Sequence, residues 1–209
     1  MNTLLVTGVT GFLGGAALEA ILNGNNHPQL LLLVRAENGA EAVARVKANL
    51  RKFNLSEEQL AGLSERNILL GDLATPEGFL NDPRLAQVTH VLNCAAVASF
   101  GNNPLIWKVN VEGTLALARR MEQVSTLQRF LHVGTAMSCT PEQDSLVAES
   151  AEFRENAEHL VEYTFSKSTI EQLMRQECPN LPLLIARPSI VVGHTRHGCT
   201  PSSSIFWVF

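Results

Sequence analysis

At 209 residues the chain is long enough to bury one substantial core without disulfides or metals. Its 45% hydrophobic and 17% charged residues exclude a disordered or low-complexity protein. The formal net charge of −4 excludes a general affinity for nucleic acid or anionic membrane, while leaving room for a local basic pocket.

Short apolar runs alternate with longer amphipathic ones along the chain. Met1 leads straight into TLLVTG, with no charged n-region or cleavage-like site, so no targeting segment is expected. Strands are predicted at TLLVTG from Thr3, LLLLV from Leu30 and NILLG from Asn67. Further strands are predicted at THVLNCA from Thr89, RFLHVGT from Arg129 and LPLLIARP from Leu181. Helices are predicted between them over Phe12–Asn23, Glu37–Phe53, Pro104–Val124 and Glu158–Glu177. Strands that are apolar without alternation imply a sheet buried on both faces. Their alternation with helices implies βαβ units and a mostly parallel, doubly wound α/β sandwich. Loops are expected over Leu73–Pro83 and Thr140–Glu155. The second is polar and acidic and follows a strand end, so it is placed to border a substrate in the crevice at the carboxyl side of the sheet. After SIVVG comes the loop HTRHGCTPSSS and then IFWVF, an aromatic segment that must pack on something. Either it completes a core edge or the chain is cut before its partner segment, and the cut is expected. No apolar run approaches the length that spans a bilayer. The four cysteines, Cys94, Cys139, Cys178 and Cys199, form no CxxC pair and no zinc-like spacing. Reduced thiols and a cytoplasmic setting are expected.

The segment TGVTGFLG, from Thr7 to Gly14, directly follows the first strand and enters the first helix. Gly8 permits a tight turn out of the strand, Gly11 lets the backbone approach a pyrophosphate, and Gly14 lets the helix pack close to the sheet. The free N–H groups of the helix N-terminus would face the phosphates. Thr7, Thr10, Phe12 and Leu13 complete this predicted cofactor turn. The glycines are not in GxGxxG spacing, and the alternative is a glycine-rich turn with no ligand.

An NAD site usually carries an acidic residue at the tip of the second strand, to accept from the ribose 2′-hydroxyl. Here the tip is Arg35, which would bind a 2′-phosphate in a forked, charge-assisted contact. NADP(H) is therefore expected over NAD, with Glu37 close enough to count against it and a plain surface arginine as the alternative. Asp72, in GDL from Gly71 to Leu73, is placed to accept from the adenine amino group, or else simply to shape a turn.

YTFSK puts Tyr163 and Lys167 four residues apart, on one face of a predicted helix. A phenol with an ordinary pKa near 10 is a poor acid–base group at neutral pH. A nearby ammonium favours the phenolate and can also hold a ribose hydroxyl. Tyr163 is the only tyrosine in the chain. RFLHVGT ends at Thr135, whose hydroxyl would reach the crevice and contact a carbonyl oxygen together with Tyr163. Ser138 competes for that role.

With these pieces in order, the chain resembles the extended short-chain dehydrogenases/reductases. Within them it is similar to the male-sterility-type fatty acyl reductases and thioester reductase domains. The matching segments are TGVTGFLG, LLLVR, GDL, NCAAVASF, NVEGT, HVGTA, YTFSK and RPSIVVG, and they cover residues 3–193. The resemblance implies a Rossmann-type NAD(P)-binding fold. It implies that Thr135 and Tyr163 bind the substrate carbonyl, with Tyr163 the proton donor, and that Lys167 holds the nicotinamide ribose and tunes Tyr163. It places Asn110 at a structural and proton-relay asparagine and Cys94, Ala95 and Ala96 on the ribose side of the cofactor. Leu73 belongs with Asp72 at the cofactor edge, and Arg187, Pro188, Ser189 and Ile190 pass near the nicotinamide. Two departures stand out. Gly134 occupies a position where serine is common, and the family's C-terminal substrate-binding portion is missing. Residues 1–195 are expected to form the reductase domain, and 196–209 to begin a truncated substrate region.

His194 and His197, without a third ligand, are expected to be loop residues and not a metal pair. Cys94 is expected to be a buried thiol, not a nucleophile. The expected activity is NADPH-dependent reduction of an acyl thioester, carried by coenzyme A or an acyl carrier protein, to an aldehyde or alcohol. The competing expectations are a nucleotide-sugar epimerase, dehydratase or alcohol dehydrogenase on the same fold, and a dinucleotide-binding module without chemistry.

Overall fold

The apolar runs become parallel strands. A computed structural model of the chain describes residues 2–139, 149 and 158–199. Within them lie β1 (Thr3–Thr7), β2 (Gln29–Val34), β3 (Ile68–Leu70), β4 (His90–Asn93), β5 (Arg129–Val133) and β6 (Leu183–Ala186). They form one parallel sheet in the order β3-β2-β1-β4-β5-β6. This is the doubly wound architecture expected, and its order reverses between β1 and β4, where ligands of such sheets bind.

Two apolar layers sandwich the sheet. On one face, α1 (Phe12–Asn23) and α2 (Gly39–Arg51) bury Leu18, Val46 and Leu50 against Val6 and Leu32. On the other, α6 (Thr114–Glu122) and α7 (Glu162–Glu177) bury Leu117, Met121, Ile170 and Met174 against Leu5, Val91 and Phe130. The central β2 is buried at five successive residues, as a strand covered on both faces must be, whereas β6 at the sheet edge alternates.

Capping and packing move the helix boundaries. Asn38 accepts from the Glu41 amide at 2.9 Å, so α2 starts at Gly39, two residues after the predicted Glu37. Val161 is extended, so α7 starts at Glu162 and not Glu158. The predicted Pro104–Val124 helix is interrupted. A short α5 (Leu105–Trp107) widens into a π-helical stretch over Lys108–Gly113 before α6 begins. The predicted loop over Leu73–Pro83 contains a helical turn, α4 (Glu77–Leu80), and a short helix, α3 (Glu57–Ala61), follows α2. The predicted loop Thr140–Glu155, apart from Glu149, and the IFWVF segment lie outside the described residues. Among those described, no helix is long and apolar enough to cross a membrane.

Candidate active site

The glycine turn is built by steric necessity. Gly8 has φ +73°, and a Cβ there would lie 2.7 Å from the Ala95 nitrogen. A Cβ on Gly14 would lie 2.3 Å from the Gly8 carbonyl oxygen. The close approach at Gly14 is therefore to the turn itself and not to the sheet. Gly11 donates to the Gly8 carbonyl at 2.9 Å and leads α1 without any side-chain cap. Among the described residues, the first-turn N–H groups of α1 thus have no side-chain acceptor, which suits a phosphate. Thr10 and Gly11 line the crevice, of about 300 Å³, that opens there. Thr7 does not. It is fully buried, donates to Asn93 Oδ1 at 2.5 Å and accepts from the Ala95 amide at 3.0 Å, tying β1 to the end of β4. Phe12 packs its ring on Phe53, and Leu13 is half-buried beside it, so the turn offers backbone at both positions.

The far end of the crevice is basic. Arg35, with its side chain 69% exposed, sits 3.5 Å from Asp72 Oδ2. Asp72 also accepts from the Ala74 amide at 2.9 Å, so it shapes a turn while facing the arginine. Arg45 reaches from α2 to the Arg35 carbonyl and lines the same crevice. Nothing at the strand tip points to Arg45, which comes from α2, ten residues further along the chain. The glutamate that counted against NADP, Glu37, is not among the lining residues. Leu73 buries its side chain in the core while bordering the crevice. Cys94, Ala95 and Ala96 line it opposite Gly8. Burial pushes the Cys94 thiol up to about 11, which keeps it protonated and unreactive.

Tyr163, Lys167, Thr135 and Pro188–Ile190 are not among the residues lining this crevice. Lys167, Thr135 and Pro188 gather at the ends of β5 and β6. Lys167 is 2% exposed and donates from Nζ to the Val133 carbonyl at 2.8 Å, which fixes α7 to the end of β5. Burial pushes its ammonium down to about 8. Tyr163 is half-buried, with the Phe100 ring edge-on at 6.1 Å. Burial raises its phenol. The lowering expected from Lys167 is not seen, because desolvation outweighs any help from an ammonium turned to Val133. Thr135 is buried at the carboxyl end of β5, and its Oγ1 accepts from the Met137 amide at 3.3 Å. Ser138 commits its hydroxyl to the Thr135 carbonyl at 2.7 Å, which leaves Thr135 the better placed of the two. The Ala136 amide donates to the Pro188 carbonyl at 2.9 Å, and Ser189 and Ile190 are exposed beyond it.

The π-helical stretch turns Asn110 inward. Its Oδ1 accepts from the Val97 amide at 2.8 Å, and its Nδ2 donates to the Val97 carbonyl at 3.1 Å and to Ser166 Oγ at 3.0 Å. Ser166 in turn donates to the Tyr163 carbonyl at 2.7 Å. Both amide hydrogens are therefore spent on structure, and Asn110 couples the loop after β4 to the helix that carries Tyr163. A π-bulge at such a point is a frequent mark of a functional site.

Two buried polar groups escaped the sequence reading. His132 is fully buried, with Nδ1 3.0 Å from Asn93 Nδ2. Asn93 Oδ1 takes the Thr7 hydroxyl, so its Nδ2 donates and the neutral imidazole carries its proton on Nε2. Burial, and then the neighbouring Lys167 charge, hold His132 well below its ordinary value. Glu171 is likewise fully buried, and its Oε2 accepts from Arg187 Nε at 2.9 Å and Nη2 at 2.7 Å. Glu171 lies one turn beyond Lys167, a spacing that was available in the sequence.

The fold does supply a third ligand-type residue for His194 and His197, namely Glu19 on α1, with candidate atoms within 4.8 Å of one another. However, His194 Nδ1 accepts from the Arg196 and His197 amides at 3.2 and 3.3 Å. The neutral ring then carries its proton on the Nε2 that faces Glu19, where a metal ligand needs a lone pair. The cluster reads as a clasp: both imidazoles and Arg196 hold the buried carboxylate and pin this turn to α1.

A family model described as "Male sterility protein", an NAD-binding domain, matches residues 6–209. Over 94% of its length the chain is 29% identical to a putative fatty acyl-CoA reductase of Drosophila melanogaster, of which it covers 42%. Its structure superposes on the reductase domain of a non-ribosomal peptide synthetase from Mycobacterium tuberculosis with a TM-score of 0.70 and 25% identity, covering 94% of this chain and 50% of that one. For the terminal R domain of the myxalamid PKS-NRPS pathway the TM-score is 0.82 at 23% identity, again over 94% of this chain and 50% of the other. The chain spans less than half of the Drosophila reductase and half of each reductase domain.

Proposed function

The chain belongs to the male sterility protein family of NAD-binding domains, and from that premise we propose that it is the cofactor-binding and catalytic portion of an NADPH-dependent acyl-thioester reductase. The observation that carries the reading is Lys167 on the Val133 carbonyl at 2.8 Å, which brings the Tyr163 helix against the strand end bearing Thr135. The names of the relatives, fatty acyl-CoA reductase and peptide-synthetase reductase domain, suggest the substrate class, with coenzyme A or a carrier protein as the thiol.

The glycine turn and the uncapped start of α1 would hold the pyrophosphate. Arg35 and Arg45 would hold a ribose 2′-phosphate, and the paired guanidinium groups are the reason for choosing NADPH over NADH. When bound, the cofactor supplies a hydride to the thioester carbonyl carbon. The rest falls to this chain. Thr135 donates a hydrogen bond to the carbonyl oxygen as negative charge develops on it. Tyr163 holds the same oxygen and gives it a proton. Lys167 replaces its bond to Val133, or adds to it, by donating to a ribose hydroxyl, and its positive charge then offsets the desolvation that raises the phenol. Departure of the thiol from the hemithioacetal leaves an aldehyde, open to a second reduction.

Titration of intrinsic and cofactor fluorescence with NADPH and with NADH tests the cofactor, and acyl-CoA-dependent NADPH oxidation tests the reaction. Tyr163→Phe is expected to cut turnover by about 10²- to 10⁴-fold, the usual worth of a positioned proton donor. Full activity in that variant, or turnover of a nucleotide-sugar in place of a thioester, would reject the reading.

A further inference from the structure

Gly134 is a departure from the family pattern that the proposed reaction leaves unexplained, and the structure gives it a neighbour. A Cβ at Gly134 would lie 2.3 Å from Glu171 Oε1. The carboxylate therefore rests where a serine or alanine side chain would begin. Glu171 is fully buried, and among the described residues Oε1 accepts no hydrogen bond, both Arg187 contacts being to Oε2. Lys167 lies one helical turn earlier on α7, also buried, with Nζ on the carbonyl of Val133. The ammonium and the unengaged carboxylate oxygen thus flank a single peptide link, Val133–Gly134.

We infer that Glu171 is the positioning residue that keeps Lys167 in its ammonium form, and that Gly134 is glycine because this carboxylate needs the space. The inference rests on the role given to Lys167 above. Among the described residues, the titratable groups around Lys167 leave no other source of negative charge. From β5 comes His132, neutral; from the end of β4 comes Cys94, a protonated thiol; from α7 itself comes Tyr163, an un-ionised phenol. Arg187 stands behind Glu171 and is a cation. A lysine buried among neutral groups loses its proton readily. Burial has already brought Lys167 down to about 8, with Glu171 pulling the other way. Neutralising Glu171 would remove that pull and expose the ammonium to the guanidinium of Arg187.

The test is the dissociation constant for NADPH, read by fluorescence from pH 6 to 9, in the parent protein and in Glu171→Gln, Glu171→Asp and Gly134→Ala. In the parent, affinity is expected to weaken above about pH 8 as Lys167 loses its proton. A downward shift of one pH unit would raise the pH 8 to pH 6 ratio of dissociation constants from about 2 to about 10. That shift is expected in Glu171→Gln, and in Gly134→Ala, which displaces the same carboxylate from outside and keeps the test open should Glu171→Gln fail to fold. Glu171→Asp, which retains the charge, should recover most of the parental profile. A general structural defect would weaken binding equally at all pH values. A parental limb that both substitutions leave in place overturns this inference and spares the role of Lys167. No limb in the parent or in either substitution overturns both.

Discussion

Replacing Asn110 by alanine probes the joint between the loop after β4 and the helix carrying Tyr163. Asn110 is 1% exposed and makes three hydrogen bonds, two to the Val97 backbone and one to Ser166. At about 1 kcal/mol net for each bond, the substitution should cost about 3 kcal/mol. In a domain of this size each kcal/mol lowers Tm by about 2–4 °C, so a fall of about 6–12 °C is expected by calorimetry. Asn110→Asp keeps one acceptor but loses both donors and buries a charge, so it should be no milder. The Tyr163 carbonyl is held by Ser166, the partner that Asn110 positions, so turnover should fall along with stability while the choice between NADPH and NADH is unchanged. A Tm within about 2 °C of the parent would refute the reasoning, because three bonds of ordinary strength cannot vanish so cheaply.

Arg35→Ala and Arg45→Ala should each weaken NADPH binding about tenfold, the scale of one charge-assisted contact, and leave NADH binding unchanged; equal losses for both cofactors would place the arginines elsewhere. His132 is held well below its ordinary value by burial, so below about pH 6.5 the unfolded chain binds a proton that the folded one refuses. Stability measured by urea unfolding should therefore fall as pH drops from about 6.5 toward 5, at up to about 1.4 kcal/mol per pH unit from this residue. His132→Asn should flatten that part of the profile, and an unchanged slope would mean that another group governs it.

Much of the fold was legible in the sequence, because its signals are local. Unbroken apolar runs such as Leu30–Val34, short and set between helical stretches, read as strands covered on both faces, and the spacing of Gly8, Gly11 and Gly14 marks a turn between strand and helix. Tyr163 and Lys167 shared a helix face by spacing alone. The helix read as continuous from Pro104 to Val124 shows where such signals stop. Its π-helical stretch is set by contacts from elsewhere, the Val97 backbone on Asn110 and the Leu73 carbonyl against Gly113, which no local pattern encodes.

By itself, then, the sequence determined the order of strands and helices, the glycine turn and the Tyr163–Lys167 pair, since each depends on residues a few positions apart. Only the tertiary structure decided that Thr7 is spent inside the sheet, that Arg45 joins Arg35, and that Glu171 lies against Gly134. It also decided that the Tyr163 phenol is raised and not lowered. Those outcomes depend on which distant side chains share a buried volume, and on how desolvation there weighs against the nearest charge.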